Sequence, residues 1–249
     1  MVKEPLKYTS DKGDFLVATL QNKTLDTYDA NLQYLLNYVK DSKADLIVAP
    51  ELCLTNFDYE NFEEAAALYE LALVELLAIV DTQIVVLTMT VKEGNNFFNR
   101  AFVLHEHKVV HEQDKYKLFK LGNEEKYFEV GDKNKITKFE INGVSYAILI
   151  CFELRFKELW KQIEGVDIVL IPSRWGKSRQ VHLETLSRAL AIMNQCFVVV
   201  SNSADDDMAK ASEIISPWGK LWADETLEVI EQYIELKDVK RVRRMINVL

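Results

Sequence analysis

Along the chain, short unbroken apolar runs alternate with stretches in which apolar residues recur every three or four positions. FLVATLQ at 15–21 is β-branched and short, which predicts a buried strand. Between 25 and 40, Tyr28, Leu32, Leu35, Leu36 and Val39 fall on helical spacing, so a helix with one face inward is expected. ADLIVAPE at 44–51 returns to a strand, closed by Pro50, which has no N–H to give a central ladder. Positions 61–80 predict a second long helix and QIVVLTMT at 83–90 a third strand. Strand, helix, strand, helix, strand is the βαβ alternation of a covered sheet.

The middle of the chain changes style. FFNRAFVLHE and KVVHEQD read as a hairpin turned near Glu106, His107 and Lys108. ITKFEI and VSYAILIC form another, turned at Asn142 and Gly143, a strong local hairpin signal. A helix is expected over 156–163, a buried strand in VDIVLIPS ending at Pro172, a long helix over about 177–195, and a strand in CFVVVSN. KASEIIS, a turn at Pro217, Trp218 and Gly219, KLWAD and LEVIEQYIEL return to strands. The acidic triplet Asp205, Asp206 and Asp207 reads as a solvated loop. No 20–50-residue repeat interrupts this order, and one mixed-sheet domain over 1–249 is expected.

Composition narrows the function classes. Of 249 residues, 49% are hydrophobic and 28% charged, which suits a soluble protein with a large core. The net charge of −9 argues against a nucleic-acid or anionic-membrane partner. Eight glycines and four prolines leave little material for linkers. The longest apolar run, 146–152, is far below the roughly 18 residues of a membrane span. Residues 1–14 lack an apolar h-region, so no signal peptide is read and a cytoplasmic protein is expected. Three cysteines do not make a disulfide framework.

Cys151 stands where the apolar strand VSYAILI gives way to FELRFKELW, which begins as a helix would. A thiol there can meet backbone N–H groups and the positive end of a helix dipole, which favour thiolate and can hold an oxyanion. The competing reading is plain packing, the usual fate of a free cysteine. Cys196 and Cys53 fit that packing role. His105, His107 and His111 are split by a hairpin turn and His182 falls on the exposed side of a helix, so neither a metal site nor a Cys/His pair is legible. A base for Cys151 has to come from elsewhere. Glu51 leaves a strand end, where open α/β sheets place ligands, and Lys115 follows another strand end ahead of KYKLFK. Taken singly, each also reads as a loop-capping carboxylate or a solvated lysine.

Together the local sequences are more specific. IVAPEL around Glu51, DKYKLF around Lys115 and ICFELRFKEL around Cys151 resemble the three signature stretches of the nitrilase, or carbon–nitrogen hydrolase, superfamily. LVATLQN, GNEEKYFEVGD at 122–132, HLETLSRALAIMNQCFVVVSN at 182–202 and SPWGKLWA resemble further family segments in the family's order. The resemblance implies an α/β fold, a four-layer αββα sandwich of two mixed β-sheets. It implies a triad of Glu51 as general base, Lys115 as charged stabiliser and Cys151 as nucleophile, with Glu124 positioning the triad and the Phe152 backbone N–H helping to hold the oxyanion. Lys115 is preferred through the D-K-x-x-L-F register, with Lys117 as the alternative. No cofactor or metal is implied. The expected partners are a small amide substrate and a second copy of the chain, through the helix near 156–165 or the C-terminal ELKDVKRVRRMINVL; that basic run also reads as a solvated helix face.

Some positions depart from the family pattern. Lys157 replaces a common proline, Leu190 and Met193 replace frequent Arg and Glu, and His107 replaces a hairpin glycine. Phe57, Tyr59, Arg174 and Trp175 are placed to line a pocket. Arg174 has two open readings, a fork for a substrate carboxylate or a solvent-facing side chain. Small linear amides of the ω-amidase kind are the expected substrates, ahead of N-carbamoyl amino acids and nitriles. A family acyltransferase would need transmembrane helices, and a catalytically silent binding protein would be expected to lack a triad residue.

Overall fold

The computed structural model describes residues 15–246 and 248. The stretch on which the absence of a signal peptide was read, 1–14, and the extreme C-terminal Asn247 and Leu249 lie outside the described residues. The first sheet joins β1 (Phe15–Leu20), β2 (Leu46–Val48), β3 (Ile84–Glu93), β4 (Asn96–His105) and β5 (Lys108–Asp114), with β12 (Val229–Ile234) on the outer side of β1. The second joins β6 (Phe139–Ile141), β7 (Val144–Ile148), β8 (Ile168–Ser173), β9 (Phe197–Asn202), β10 (Glu213–Ile215) and β11 (Leu221–Trp222) in sequence order. β1, β2 and β3 are parallel, as are β7, β8 and β9, and hairpin or antiparallel strands flank each trio.

Period two along each strand decides what faces what. In the first sheet Val17, Leu46, Val48, Val86, Ala101 and Val103 share one face and one core with second-sheet residues such as Ile168, Leu170 and Val199. The alternate positions Ala18, Ile47, Val85, Leu87 and Phe102 face outward onto α1 (Tyr28–Asp41) and α2 (Phe62–Ile79). The second sheet is covered by α3 (Lys157–Gln162), α4 (Gln180–Met193) and α5 (Lys237–Met245), which contribute Leu159, Leu183 and Val239 to the core. Helix, sheet, sheet, helix is the expected four-layer αββα sandwich. A polar tie also crosses between the sheets: Thr19 Oγ1 donates to the Val200 carbonyl at 2.7 Å.

Several local expectations shift. β7 stops at Ile148, three residues short of Cys151, and the residues after the cysteine form a 3-10 helix over Cys151–Arg155 rather than an α-helix. So short a helix has little macrodipole, and that part of the electrostatic expectation falls away. α3 still begins at Lys157, the first-turn position that proline also tolerates. The long helix begins at Gln180, after a 3-10 turn at Lys177–Arg179. Glu106 and His107 both take positive φ (48° and 59°), so the hairpin turn forms without glycine. The acidic triplet is not merely solvated: Asp205 pairs with Arg174 and accepts from Thr24, while Asp206 pairs with Lys23. Among the described residues no helix is long and apolar enough to cross a membrane.

Candidate active site

The parallel strands set up the site, because their carboxyl ends lie on one side of the sandwich. Glu51 comes three residues after β2, Cys151 three after β7, and Arg174 one after β8. The chain turns sharply at two of these ends: Leu52 has φ 48° and Cys151 φ 50°, both in the left-handed region that non-glycine residues seldom enter. The turn at Leu52 is held by its N–H donating to Thr88 Oγ1 of β3 at 2.7 Å. The Glu51 N–H donates across the sandwich to the Ser173 carbonyl at 3.2 Å, tying the two sheets together beside the site.

Lys115 leaves β5 on the inward side. Its ammonium is 2.6 Å from Glu51 Oε1 and 2.8 Å from Glu124 Oε1, and its side chain is 0% exposed. Burial opposes its charge, but Glu124, Glu51 and the nearby Cys151 more than offset this, and Lys115 stays protonated well above the usual lysine range. Burial pushes the Glu124 carboxyl up against the pull of Lys115. Glu124 Oε2 accepts from the Phe119 N–H at 3.0 Å, which fixes it to the loop after β5. Lys117 points elsewhere: its ammonium meets Glu158 at 3.0 Å and lies over the Tyr116 and Phe156 rings. The structure thus brings Lys115, not Lys117, to Glu51 and Glu124.

Burial is the first reason the Cys151 thiol stands well above its ordinary pKa, and the Glu51 charge is the second. Lys115 and the Arg174 backbone N–H pull the other way. The resting sulfur is therefore a thiol, and attack by it requires an acceptor for its proton. Glu51 Oε2 is buried and has no hydrogen-bond partner among the described residues, whereas Oε1 is held by Lys115 and by Asn99 Nδ2 at 2.8 Å. One carboxylate oxygen is anchored and the other is left open.

Two residues of this arrangement were not anticipated. Asn99 belongs to the inward face of β4, in step with Ala101 and Val103; an amide on an apolar inward register was the available signal. Glu153 is fully buried and accepts from the Ile150 N–H at 2.7 Å, the Tyr116 N–H at 2.7 Å and the Lys117 N–H at 3.3 Å. It clamps the Cys151 turn to the lysine loop. Desolvation pushes its carboxyl up to about 7 despite those three donors. Its N-cap partner is Ile150, so the Ser/Thr capping signature that would have exposed it is missing.

The expected pocket residues divide. Cys151, Phe152, Arg174 and Trp175 line one narrow cavity of about 20 Å³ together with Phe119, Arg155 and Arg179. Phe57 and Tyr59 do not line it. Tyr59 stacks on Tyr127 at 3.8 Å and donates to the Gly122 carbonyl, and Phe57 lies 5.9 Å from the Lys115 ammonium, backing the ion cluster. Arg174 is neither solvent-facing nor free for a substrate. Its side chain is 4% exposed, paired with Asp205 and 2.9 Å from Thr24 Oγ1. The histidines are dispersed: the His105 and His107 rings meet the Gln83 and Leu77 carbonyls, His111 stacks on Phe139, and His182 meets Arg155.

The family model described as carbon–nitrogen hydrolase matches residues 16–244. The 2-oxoglutaramate amidase of Bacillus subtilis is 31% identical over 223 residues, 84% of this chain and 85% of that protein. The omega-amidase YafV of Escherichia coli K12 is 25% identical, covering 72% of each chain. Among solved structures, Nit3 of Saccharomyces cerevisiae, a member of branch 10 of the nitrilase superfamily, superimposes with a TM-score of 0.80 at 19% identity, covering 96% of this chain and 98% of its own. XC1258 of Xanthomonas campestris, a CN-hydrolase superfamily protein, gives 0.80 at 21% identity over 94% of this chain and 95% of its own. With a family model that spans nearly all of its length, this chain belongs to the carbon–nitrogen hydrolase family.

Proposed function

We propose that the chain is a thiol-dependent amidase that releases ammonia from small linear ω-amides through an acyl-enzyme on Cys151. The observation that carries this reading is the split role of Glu51, whose Oε1 is anchored by Lys115 and Asn99 while Oε2 is buried and unpartnered beside a protonated thiol. In the first step the Cys151 sulfur attacks the amide carbonyl carbon and its proton passes to Glu51 Oε2. The carbonyl oxygen takes the electron pair, and Lys115 with the Phe152 backbone N–H stabilises that oxyanion. Collapse expels the amide nitrogen, which leaves as ammonia with the proton returned by Glu51. Water then attacks the thioester, Glu51 taking its proton, and the carboxylic acid departs as the thiol is restored. Glu124 holds Lys115 in place and does not exchange protons in this scheme.

A buried glutamate stands here in the place of the usual histidine base, with one oxygen anchored and the other open to take the proton. The relatives named 2-oxoglutaramate amidase and omega-amidase support the amide class for this chain. The same reading takes the whole chain as one catalytic unit working in the cytoplasm as a homodimer. Ammonia release from panels of ω-amides, N-carbamoyl amino acids and nitriles tests the reading. Turnover of ω-amides that vanishes in Cys151→Ala supports it. Exclusive turnover of carbamoyl compounds or nitriles would move the substrate class, and undiminished turnover in Cys151→Ala would remove the thiol mechanism.

A further inference from the structure

The inward face of β3 changes character along its length. Ile84 and Val86 are apolar and pack between the sheets, but the next two inward positions are Thr88 and Thr90, both buried. Valine would fill the same β-branched space with no polar atom to bury, so each hydroxyl calls for a partner. Thr88 has one, since its Oγ1 accepts from the Leu52 N–H at 2.7 Å and holds the turn after Glu51. Thr90 is 1% exposed, and its Oγ1 has no hydrogen-bond partner among the described residues.

Directly across the β3–β4 ladder from Thr90 stands Asn99. It is equally buried and is bonded to two members of the ion cluster. Its carbonyl accepts from the Lys115 N–H at 2.8 Å, and its Nδ2 donates to Glu51 Oε1 at 2.8 Å. Its Oδ1 is buried without a partner among the described residues. One of the two orientations of this amide serves Glu51. Turned over, it would set Oδ1 against a carboxylate oxygen and lose the bond. An acceptor without a donor thus stands opposite a hydroxyl without an acceptor, on one face of the sheet. Directly opposed residues have Cβ atoms about 4.5–5.5 Å apart, so rotation about Thr90 χ1 brings the O–H to Oδ1.

We infer that Thr90 is a positioning residue: its hydroxyl donates to Asn99 Oδ1, fixes that amide with Nδ2 toward Glu51, and so holds the base in register for Cys151. The inference rests on the amidase reading above, in which Glu51 is the base, and adds a residue that acts on it through Asn99. Thr90 itself exchanges no proton with the substrate. Its hydroxyl locks the orientation of the one neutral donor that Glu51 Oε1 has beside Lys115 among the described residues.

The test compares Thr90→Val, which keeps the shape and removes the hydroxyl, with Thr90→Ser, which keeps the hydroxyl. Thr90→Val should lower kcat for ω-amides about 3- to 10-fold with KM unchanged, while Thr90→Ser stays within about twofold of native. A packing role predicts the reverse order, because valine preserves the buried surface and serine loses a methyl group. In an Asn99→Ala background the same Thr90→Val change should cost less than about 1.5-fold, since the acceptor is gone. Native kcat in Thr90→Val, an equal loss in Thr90→Val and Thr90→Ser, or an undiminished loss in folded Asn99→Ala protein overturns the inference. Should Asn99→Ala fail to fold, the comparison of valine with serine decides it alone. If the native protein turns over no amide, the amidase reading fails and the Thr90–Asn99 bond is judged by NMR of the Asn99 side chain. Its amide protons should then exchange with solvent about 3- to 10-fold faster in Thr90→Val than in native or Thr90→Ser protein. Equal exchange in all three overturns the bond too.

Discussion

The two sides of Cys151 handle charge in opposite ways. On one side Lys115 is fully buried between Glu51 and Glu124, each within 2.8 Å, and every charge has its partner in the folded chain. On the other, Arg155 and Arg179 line the cavity on aromatic faces with no carboxylate among the described residues. A buried charge without a partner is costly, so the first cluster has to be complete before substrate arrives. Half-exposed arginines keep part of their hydration and can wait for an anion. On the proposed reading, the first is a catalytic side that is preorganised and the second a recognition side that its ligand completes.

That contrast sets what substitutions should do. Cys151→Ala should remove turnover altogether, at least about 10⁴-fold in kcat, with an unchanged urea midpoint, because the thiol makes no ion pair and its loss leaves little space. Glu51→Gln should cost nearly as much, about 10³- to 10⁴-fold in kcat, since the amide cannot take the thiol proton. Lys115→Met is the substitution that most sharply separates the two sides. The structure argues that two buried carboxylates would be left without a cation, so about 3–5 kcal/mol of stability should be lost along with activity, read by urea unfolding. Arg179→Gln should change the unfolding free energy by less than about 0.5 kcal/mol, as expected for a partly exposed side chain outside any carboxylate pair among the described residues. Asn99→Ala frees Glu51 Oε1 from one of its two donors and should lower kcat about 10- to 100-fold.

The smallest effect concerns a buried carboxylate that makes no salt bridge among the described residues. Glu213 lies under α4, accepts from Ser187, and is pushed up to about 8 by desolvation. Its folded-state pKa is above its unfolded value of 4.5, so its protonated form stabilises the fold. That contribution is complete below about pH 4.5 and is lost as pH rises towards and through about 8. Glu213→Gln should flatten this part of the decline in Tm with rising pH and leave the pH-rate profile unchanged. A native Tm that rises across the same window, with no change in slope on Glu213→Gln, would contradict it.

Much of this could be read from the chain because patterning dictates it. The alternation of FLVATLQ, the 25–40 helix and ADLIVAPE fixes β1, α1 and β2, and the Asn142 and Gly143 turn fixes the β6–β7 hairpin. Glu51, Lys115 and Cys151 sit at strand ends, positions that strand boundaries expose. What escaped depended on partners distant in sequence. Arg174 looks like a ligand for substrate until Asp205, 31 residues on, is seen to hold it. Glu153 takes its three donors from two segments that only the fold brings together. Arg155 and Arg179 are ordinary surface arginines in sequence, and become a pair only where α3 and α4 begin beside the cavity.

The most direct test of the Cys151 and Glu51 chemistry is intact-protein mass spectrometry after acid quench of the protein turning over succinamate. A succinyl adduct that forms within the first turnovers, maps to the peptide carrying Cys151 and is absent in Cys151→Ala is the predicted result. Steady ammonia release with no adduct on that peptide, retained in Cys151→Ala, would contradict it.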